Sequence, residues 1–240
     1  MAELRLPEGP AELFEAVCET IGHHLGGEDQ MLLGGGTALA MRWAHRHSTD
    51  VDLFTSREAF GRLFANRESF EAEIRRRADQ AVNIHVQEDF ARILLGDDGE
   101  VSLSSTRPRT PDPRSEDLVQ GTEVSLKTNA EIIAKKVRYR MLRNATLVPR
   151  DLYDIAVSPR YDSGAFERAV ANIDTEQLED LRDELRYLPR DWMRRHDQQL
   201  IRPVHAEEAL RAVAIFRRQL SHAIDDRKPS RYRPPAAWER

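Results

Sequence analysis

The chain has 240 residues, enough for one large domain or two small ones with a buried core. Hydrophobic residues make up 40% and charged residues 32%; 36 Lys and Arg against 41 Asp and Glu leave a formal net charge of −5, so there is no chain-wide basic signature of nucleic-acid binding. The one cysteine, Cys18, excludes an intramolecular disulfide and a cysteine-rich zinc site. No stretch approaches the roughly 18 apolar residues of a membrane span, and the N-terminus lacks a basic segment followed by an apolar run, so the expectation is a cytoplasmic protein with no membrane partner.

In chain order, Leu13, Phe14, Val17, Ile21 and Leu25 mark one stripe of a helix over 10–25, which Gly26-Gly27 ends. Cys18 falls within that pattern and reads as a buried small apolar residue rather than a reactive thiol. Met31–Leu33 is a short apolar run that stops at Gly34-Gly35-Gly36, and Thr37 then opens a helix through Trp43. Val51, Leu53 and Phe54 read as a strand, followed by a helix over 57–80 anchored by Phe60, Leu63, Phe64, Phe70 and Ile74. Strands are expected at 81–87, 91–95 and 100–105, with Gly96-Asp97-Asp98-Gly99 as a hairpin turn between the last two.

Residues 106–121, rich in Pro, Arg and Asp, read as a loop or linker. Beyond them the pattern turns helical, at 123–143, 149–158, 163–173, 175–187 and 204–225. The expected class is therefore α+β, a small mixed sheet flanked by helices over 1–121, then a helical domain over 122–225 and a Pro- and Arg-rich tail over 226–240. The helical part has no evident catalytic constellation of its own, which places the site in the cleft between the two parts.

The residues that suggest chemistry are Asp50 and Asp52. On a strand, positions two apart point to the same face, so both carboxylates converge and repel unless a cation lies between them. Mg²⁺ fits, with Mn²⁺ as a substitute, because it accepts a few carboxylates and keeps positions open for phosphate oxygens. The glycine run supplies a complement: Gly35 and Gly36 let backbone N–H groups approach an anion at a helix N-terminus. Thr37 is expected as the N-cap, with a hydroxyl that also reaches a phosphate.

Gly35-Gly36-Thr37-Ala38-Leu39, followed by Arg46-x-Ser48-x-Asp50-Val51-Asp52-Leu53-Phe54, resembles the AbiEii-type nucleotidyltransferases of the polymerase-β-like superfamily, which include the toxin halves of AbiE and MenT-like toxin–antitoxin systems. Ala134-Lys135-Lys136-Val137 and Arg150-Asp151-Leu152-Tyr153-Asp154-Ile155 are similar to that family's lysine helix and its downstream acidic segment. The two matches lie in order and bracket residues 34–155. The resemblance implies a polymerase-β-like core, an NTP substrate, transfer of a nucleotide to an RNA (tRNA) acceptor, a phage-defence or toxin role and a cognate antitoxin.

It also implies roles for individual residues. Asp50 and Asp52 hold metal; Gly35, Gly36, Thr37, Arg46 and Ser48 contact the nucleotide, with pairing to the aspartates as the alternative for Arg46 and shaping the turn as the alternative for Ser48. Lys136 follows Ile132 and Ile133 by four and three, on the inward stripe of its helix, and is the first choice for a phosphate-contacting lysine, with Lys135 second. Asp151 orients Lys136 or the acceptor, or simply offsets a helix dipole; Asp154 braces the basic helix. His45 and His47 flank Arg46 and read as exposed loop residues, with a ligand role as the alternative. One departure concerns the third carboxylate common in the superfamily: the strand at 100–105 holds Ser102, Ser104 and Ser105 at its central positions, and Glu88 and Asp89 lie between strands.

For the acceptor, residues 134–150 hold Lys135, Lys136, Arg138, Arg140, Arg143 and Arg150 with no acid, and Tyr139 among them, a composition suited to tracking a phosphate backbone. The tail adds Arg227, Lys228, Arg231, Tyr232, Arg233 and Trp238. Two alternatives stand beside RNA: a small-molecule acceptor such as an antibiotic, and a non-catalytic NTP-binding subunit.

Overall fold

The computed structural model describes residues 4–6, 8–77, 81–95, 99–119, 122–195 and 200–227. Seven strands among them form one mixed sheet: β1 (Leu32–Gly34), β2 (Val51–Thr55), β3 (Ala81–Val86), β4 (Phe90–Leu95), β5 (Gly99–Ser105), β6 (Arg114–Val119) and β7 (Thr122–Lys127), in the order β3-β4-β5-β2-β1-β7-β6. β1 runs antiparallel to β2, while β2 with β5 and β1 with β7 are parallel. Period-two burial is clear in β2, where Val51, Leu53 and Thr55 are buried and Asp52 and Phe54 stand half-exposed on the other face.

Helix α1 (Glu8–Leu25) buries the expected stripe and packs against β2 and β5. Cys18 is half-buried on it, and burial, then Glu28, pushes its thiol up to about 12, which keeps it protonated and unreactive. The helix expected over 57–80 is two: α3 (Arg57–Ala65), capped by Ser56 accepting from the Ala59 N–H, and α4 (Arg67–Arg77), with a break at Asn66. Asn66 leaves helical geometry at φ −111° and ψ 25° and closes α3 with its own N–H on Leu63 O. Residues 78–80 and 96–98 of the expected elements lie outside the described residues, although β4 and β5 pair antiparallel up to Leu95 and Gly99.

The stretch 106–127 differs most from expectation. Instead of a linker and a helix start, Arg114–Val119 and Thr122–Lys127 form an antiparallel hairpin, and β7 docks beside β1 through Leu33 and Leu126. The boundary expected at 121/122 falls between these two strands, so the sheet continues to Lys127. β6 reads RSEDLV, too polar to suggest a strand, because it is the last strand of the sheet and its side chains need not be apolar. In β7 the alternation of Val124 and Leu126 is masked by the helical run that follows it.

Thr128, whose hydroxyl accepts from the Glu131 N–H, starts α5 (Asn129–Lys135). The helix widens into a π-helical stretch over Lys136–Arg143, closed by Asn144 N–H on Tyr139 O. α6 (Pro149–Tyr161), α7 (Ala165–Val170), α8 (Thr175–Glu184), the single turn α9 (Trp192–Arg195) and α10 (Ala206–Asp225) follow, with α10 packed on α6 and Phe166 edge-on to Phe216. α2 (Gly35–Trp43) touches β1, β2 and β7 on one side and α5 and α6 on the other, joining sheet to helices. No helix among the described residues is long and apolar enough to cross a membrane. The tail residues 228–240, including Lys228, Arg231, Tyr232, Arg233 and Trp238, lie outside the described residues.

Leu33 is fully buried on β1 between β2 and β7. Leu33→Ala should cost about 2–5 kcal/mol, measured as a lower urea midpoint with an unchanged slope.

Candidate active site

The cleft is built around the end of β1 and the start of β2. Antiparallel register sets Gly34 opposite Asp52, and parallel register sets Ser102 of β5 beside Asp52 on the other side. Ser102 Oγ donates to Asp52 Oδ1 at 3.0 Å. The chain turns from β1 into α2 at Gly35, where φ is +64° and a Cβ would collide with the Asp52 carboxylate. No other residue fits that backbone and that space together. A Cβ on Gly36 would likewise meet the Arg46 guanidinium.

Asp50 and Asp52 open on one pocket of about 130 Å³, whose wall also includes Gly36, Ser48, Ser102 and Lys136. Asp50 Oδ1 accepts from Thr49 Oγ1 at 3.2 Å, and its Oδ2 lies 3.6 Å from Arg150 Nη1. Two carboxylates and two hydroxyls on a glycine bend form a hard, all-oxygen donor set that suits Mg²⁺ or Mn²⁺ and leaves coordination for phosphate oxygens. Among the described residues, the one grouping of three His, Cys, Asp or Glu ligand atoms is His23, His24 and Glu73 on α1 and α4, not on the elements of this cleft.

The structure corrects the expectation for Thr37. The N-cap of α2 is Gly34, and Thr37 is fully buried inside the helix. Its hydroxyl is shared with Ser48 Oγ at 2.8 Å and the Asp50 carbonyl, so it braces the loop that carries Asp50 rather than facing a phosphate.

Arg46 is also placed differently. It is buried and forks onto Asp154, Nε to Oδ1 at 2.6 Å and Nη2 to Oδ2 at 2.9 Å, with Nη1 on the His47 carbonyl. It pairs with Asp154 rather than with Asp50 or Asp52, and still lines the pocket those two acids share; Arg150 is the arginine beside Asp50. His45 is not exposed but fully buried, its Nε2 2.7 Å from Asp154 Oδ1 and its ring against Tyr153 and Trp43. Burial pushes its imidazole down, against the pull of Asp154. Tyr153 OH donates to the His45 carbonyl at 3.1 Å and accepts the His205 N–H at 3.0 Å, fixing the same loop from α6.

Lys136 lies where the sequence places it, on the inward side, and is 5% exposed. Its Nζ bonds Asp151 Oδ1 and lies 3.1 Å from Asp154 Oδ2. Arg140 Nη1 reaches both oxygens of Asp151, at 3.1 and 2.9 Å. Burial alone would raise both carboxyls; Arg46 and Lys136 override it to hold Asp154 well below the usual carboxylate range, and Lys136 and Arg140 lower Asp151. Asp151 thus orients Lys136 and, sealed from solvent, is not available to an acceptor. Asp154 braces the basic helix as expected.

A larger cleft of about 660 Å³ extends from Gly35 and Asp52 across the Phe54 ring to Tyr139 and Asn144. Sequence reasoning missed two of its residues. Glu100 lies on the same face of β5 as Ser102 and lines both cavities, paired with Arg92 at 2.6 Å; its place before the central serines hid it. Lys127, 4% exposed at the end of β7, faces the Phe54 ring and stands beside Lys135. The misassigned hairpin removed any reason to single it out. Burial, and then the Lys135 charge, push the Lys127 ammonium down.

Removing Asp154 would leave Arg46 and Lys136 buried without their shared partner. Asp154→Ala should cost about 3–5 kcal/mol in a urea titration. The Asp154 carboxyl is depressed on folding, so its contribution is fully present above the unfolded value of about 4 and is lost as pH falls toward the folded one. Asp154→Asn should therefore flatten the acid limb of stability against pH.

The profile of the nucleotidyl transferase AbiEii toxin family, described as a type IV toxin–antitoxin system, matches residues 23–227. Among solved structures, JHP933 from Helicobacter pylori superposes with a TM-score of 0.54 at 14% identity, covering 92% of this chain and 94% of that one. A second H. pylori chain, provisionally assigned as a nucleotidyltransferase, gives 0.53 at 16%, covering 92% and 98%. The antibiotic-resistance factor ANT(2'')-Ia gives 0.39 at 14%, covering 70% and 88%. No protein of curated function matches. The two H. pylori structures share the fold, and the family match spans most of the chain: this protein belongs to the AbiEii nucleotidyl transferase family and is a nucleotidyltransferase.

Proposed function

We propose that the protein moves a nucleoside monophosphate from an NTP to an RNA acceptor, tRNA first, with a divalent cation, Mg²⁺ or Mn²⁺, held by Asp50 and Asp52. In this reading it acts in the cytoplasm as the toxin of a toxin–antitoxin or phage-defence pair, with a cognate antitoxin. The observation that carries the chemistry is the shared pocket of Asp50 and Asp52 against the Gly35–Gly36 bend. When bound, the cation offsets the charge of the carboxylates and phosphate oxygens and polarises the α-phosphate.

The chain's own residues supply positioning and electrostatics, which phosphoryl-type transfer chiefly requires. Backbone N–H groups at the start of α2 face the phosphates. Lys136, at the junction of the two cavities, is oriented by Asp151 and Asp154 toward a phosphate oxygen. With its charge already matched, it contributes a directed hydrogen bond more than net charge. The acceptor hydroxyl oxygen bonds to the α-phosphorus, the bond to the bridging oxygen breaks, and pyrophosphate leaves. Glu100, on the pocket wall, takes the hydroxyl proton. RNA is favoured by the basic surroundings: Arg140, Arg143 and Tyr139 line the large cleft, and Arg57, Arg107 and Arg109 line a cavity that adjoins it across Tyr139.

Incubation with labelled NTPs, Mg²⁺ and total tRNA should label RNA, and Asp52→Ala should abolish the signal; unchanged labelling by that variant rejects the mechanism. Label on an added antibiotic but not on RNA would select the small-molecule acceptor, and nucleotide binding without any product the non-catalytic subunit. Gly35→Ala, which displaces Asp52, should fold yet lose about 100-fold in rate, as expected for a misplaced reacting group. Glu100→Gln should lower kcat by about 100-fold or more with little change in KM.

A further inference from the structure

One cluster of metal-ligating side chains stands apart from the aspartate pocket. Helices α1 and α4 pack against each other, and His23 and His24 in the last turn of α1 meet Glu73 of α4. His24 Nε2 lies 3.1 Å and His23 Nδ1 3.8 Å from the same oxygen, Glu73 Oε2. One ligand atom from each of the three residues lies within 4.8 Å of the other two. Consecutive residues on a helix diverge by about 100°. These two histidines converge all the same, because His23 presents the ring nitrogen nearest its backbone and His24 the far one.

The surroundings hold the cluster in place. The His24 side chain is 7% exposed, and its ring rests edge-on against Phe70 at 5.4 Å. His23 is largely exposed, yet its ring turns inward, edge-on to His24 at 5.1 Å. The other oxygen of Glu73, Oε1, is 3.4 Å from Arg77 Nε, and Arg77 is in turn hydrogen-bonded to Glu19. Partners of this kind orient a ligating carboxylate. One oxygen is thus anchored, and the other faces two imidazoles. Hydrogen bonding accounts for His24 but not for His23, since 3.8 Å is too long. Ligand atoms on a tetrahedral Zn²⁺ sit about 3.3 Å apart, given bonds of about 2.0–2.1 Å. The His24–Glu73 edge is already close to that spacing, and a small rotation of the surface ring of His23 closes the rest.

We infer that His23, His24 and Glu73 bind one divalent transition-metal ion, Zn²⁺ first, with water completing its shell. Two imidazoles and a carboxylate suit Zn²⁺, whereas Mg²⁺ and Ca²⁺ take oxygen ligands. The role is structural. Of its eleven residues α4 buries only Phe70 and Ile74, so its apolar hold on the rest of the molecule is slight, and bonds from α1 and α4 to one ion fasten it. None of the three ligands lies on the elements of the nucleotide cleft, so the inference is independent of the reaction proposed there.

The test is calorimetric titration of the full chain, stripped with EDTA, with Zn²⁺ in Mg²⁺ buffer. The proteins compared are wild type, His23→Gln, His24→Gln and Glu73→Gln, with Asp52→Ala and His222→Gln as controls; His222 is an exposed histidine on α10. Wild type and both controls should take up one Zn²⁺ with equal affinity. Each ligand variant should bind at least about 10-fold more weakly, the loss that even an outer-shell partner causes. Zn²⁺ at about 100 times its Kd should raise the wild-type melting temperature by about 5–10 °C and barely move the ligand variants. X-ray absorption of the zinc-loaded protein should show two imidazole nitrogens at about 2.0–2.1 Å. Side chains kept for ion pairing alone would give another pattern: His24→Gln would lower the metal-free melting temperature, and Zn²⁺ would shift neither protein. The absence of saturable binding in wild type, or equal affinity in wild type, His23→Gln and Glu73→Gln, overturns the inference. So does affinity lost in Asp52→Ala, which moves the zinc to the aspartate pocket, or in His222→Gln, which makes it general surface binding. His23 is at the surface, so its variant decides even if His24→Gln does not fold. Failure here leaves the nucleotidyl-transfer reading intact.

Discussion

Asp154 is the fixed point of this molecule. It sits on α6, fully enclosed, and takes Arg46 and His45 from the loop before β2 and Lys136 from the helix after β7. Three cationic or protic groups from distant stretches of chain therefore share one carboxylate in a low-dielectric interior. Such a cluster is a poor source of net stability, since each charge must leave water to join it. It is a strong source of specificity, because any arrangement that separates the partners strands a buried charge. The loop that carries Asp50 and leads into β2 is thereby tied to the helical half, and Tyr153 and the His45 carbonyl repeat the tie with neutral hydrogen bonds.

A second constraint is steric. Gly35 turns the chain with positive φ directly beneath the Asp52 carboxylate, so that the bend and the acid are in contact. The widening of α5 into a π-helical stretch begins at Lys136. Lys135 and Lys136 are neighbours in sequence and would diverge by about 100° on a regular helix, yet both line the large cleft. A local change of helical pitch is a recurring device at functional sites, and here it coincides with two lysines of opposite circumstance. One is saturated by acids, and the other is nearly free of them.

That contrast organises the charge of the cleft. The saturated cations, Arg46, Lys136 and Arg140, hold geometry. Lys127 and Lys135 have one nearby carboxylate, Glu131, and burial pushes both ammoniums down. The cleft mixes both signs: Asp52, Asp89 and Glu100 line it together with Lys127, Lys135, Lys136, Arg140 and Arg143.

Local sequence alone determined the local pieces: the stripe of α1, the glycine stop after β1, Asp52 and Phe54 on one face of β2, and Lys136 on the inward side of its helix. Each of these follows from a fixed period or from a backbone that only glycine adopts. Tertiary structure decided the rest. Whether Thr37 caps a helix or braces a loop depends on Ser48 and Asp50, 11 and 13 residues on, and the burial and pairing of His45 and Arg46 depend on Asp154, more than a hundred residues away. The hairpin at 114–127 was hidden because a polar edge strand leaves no apolar signature, and with it went Lys127. Charge pairing across such distances has no periodicity for a sequence to display; it exists only once the chain has closed on itself.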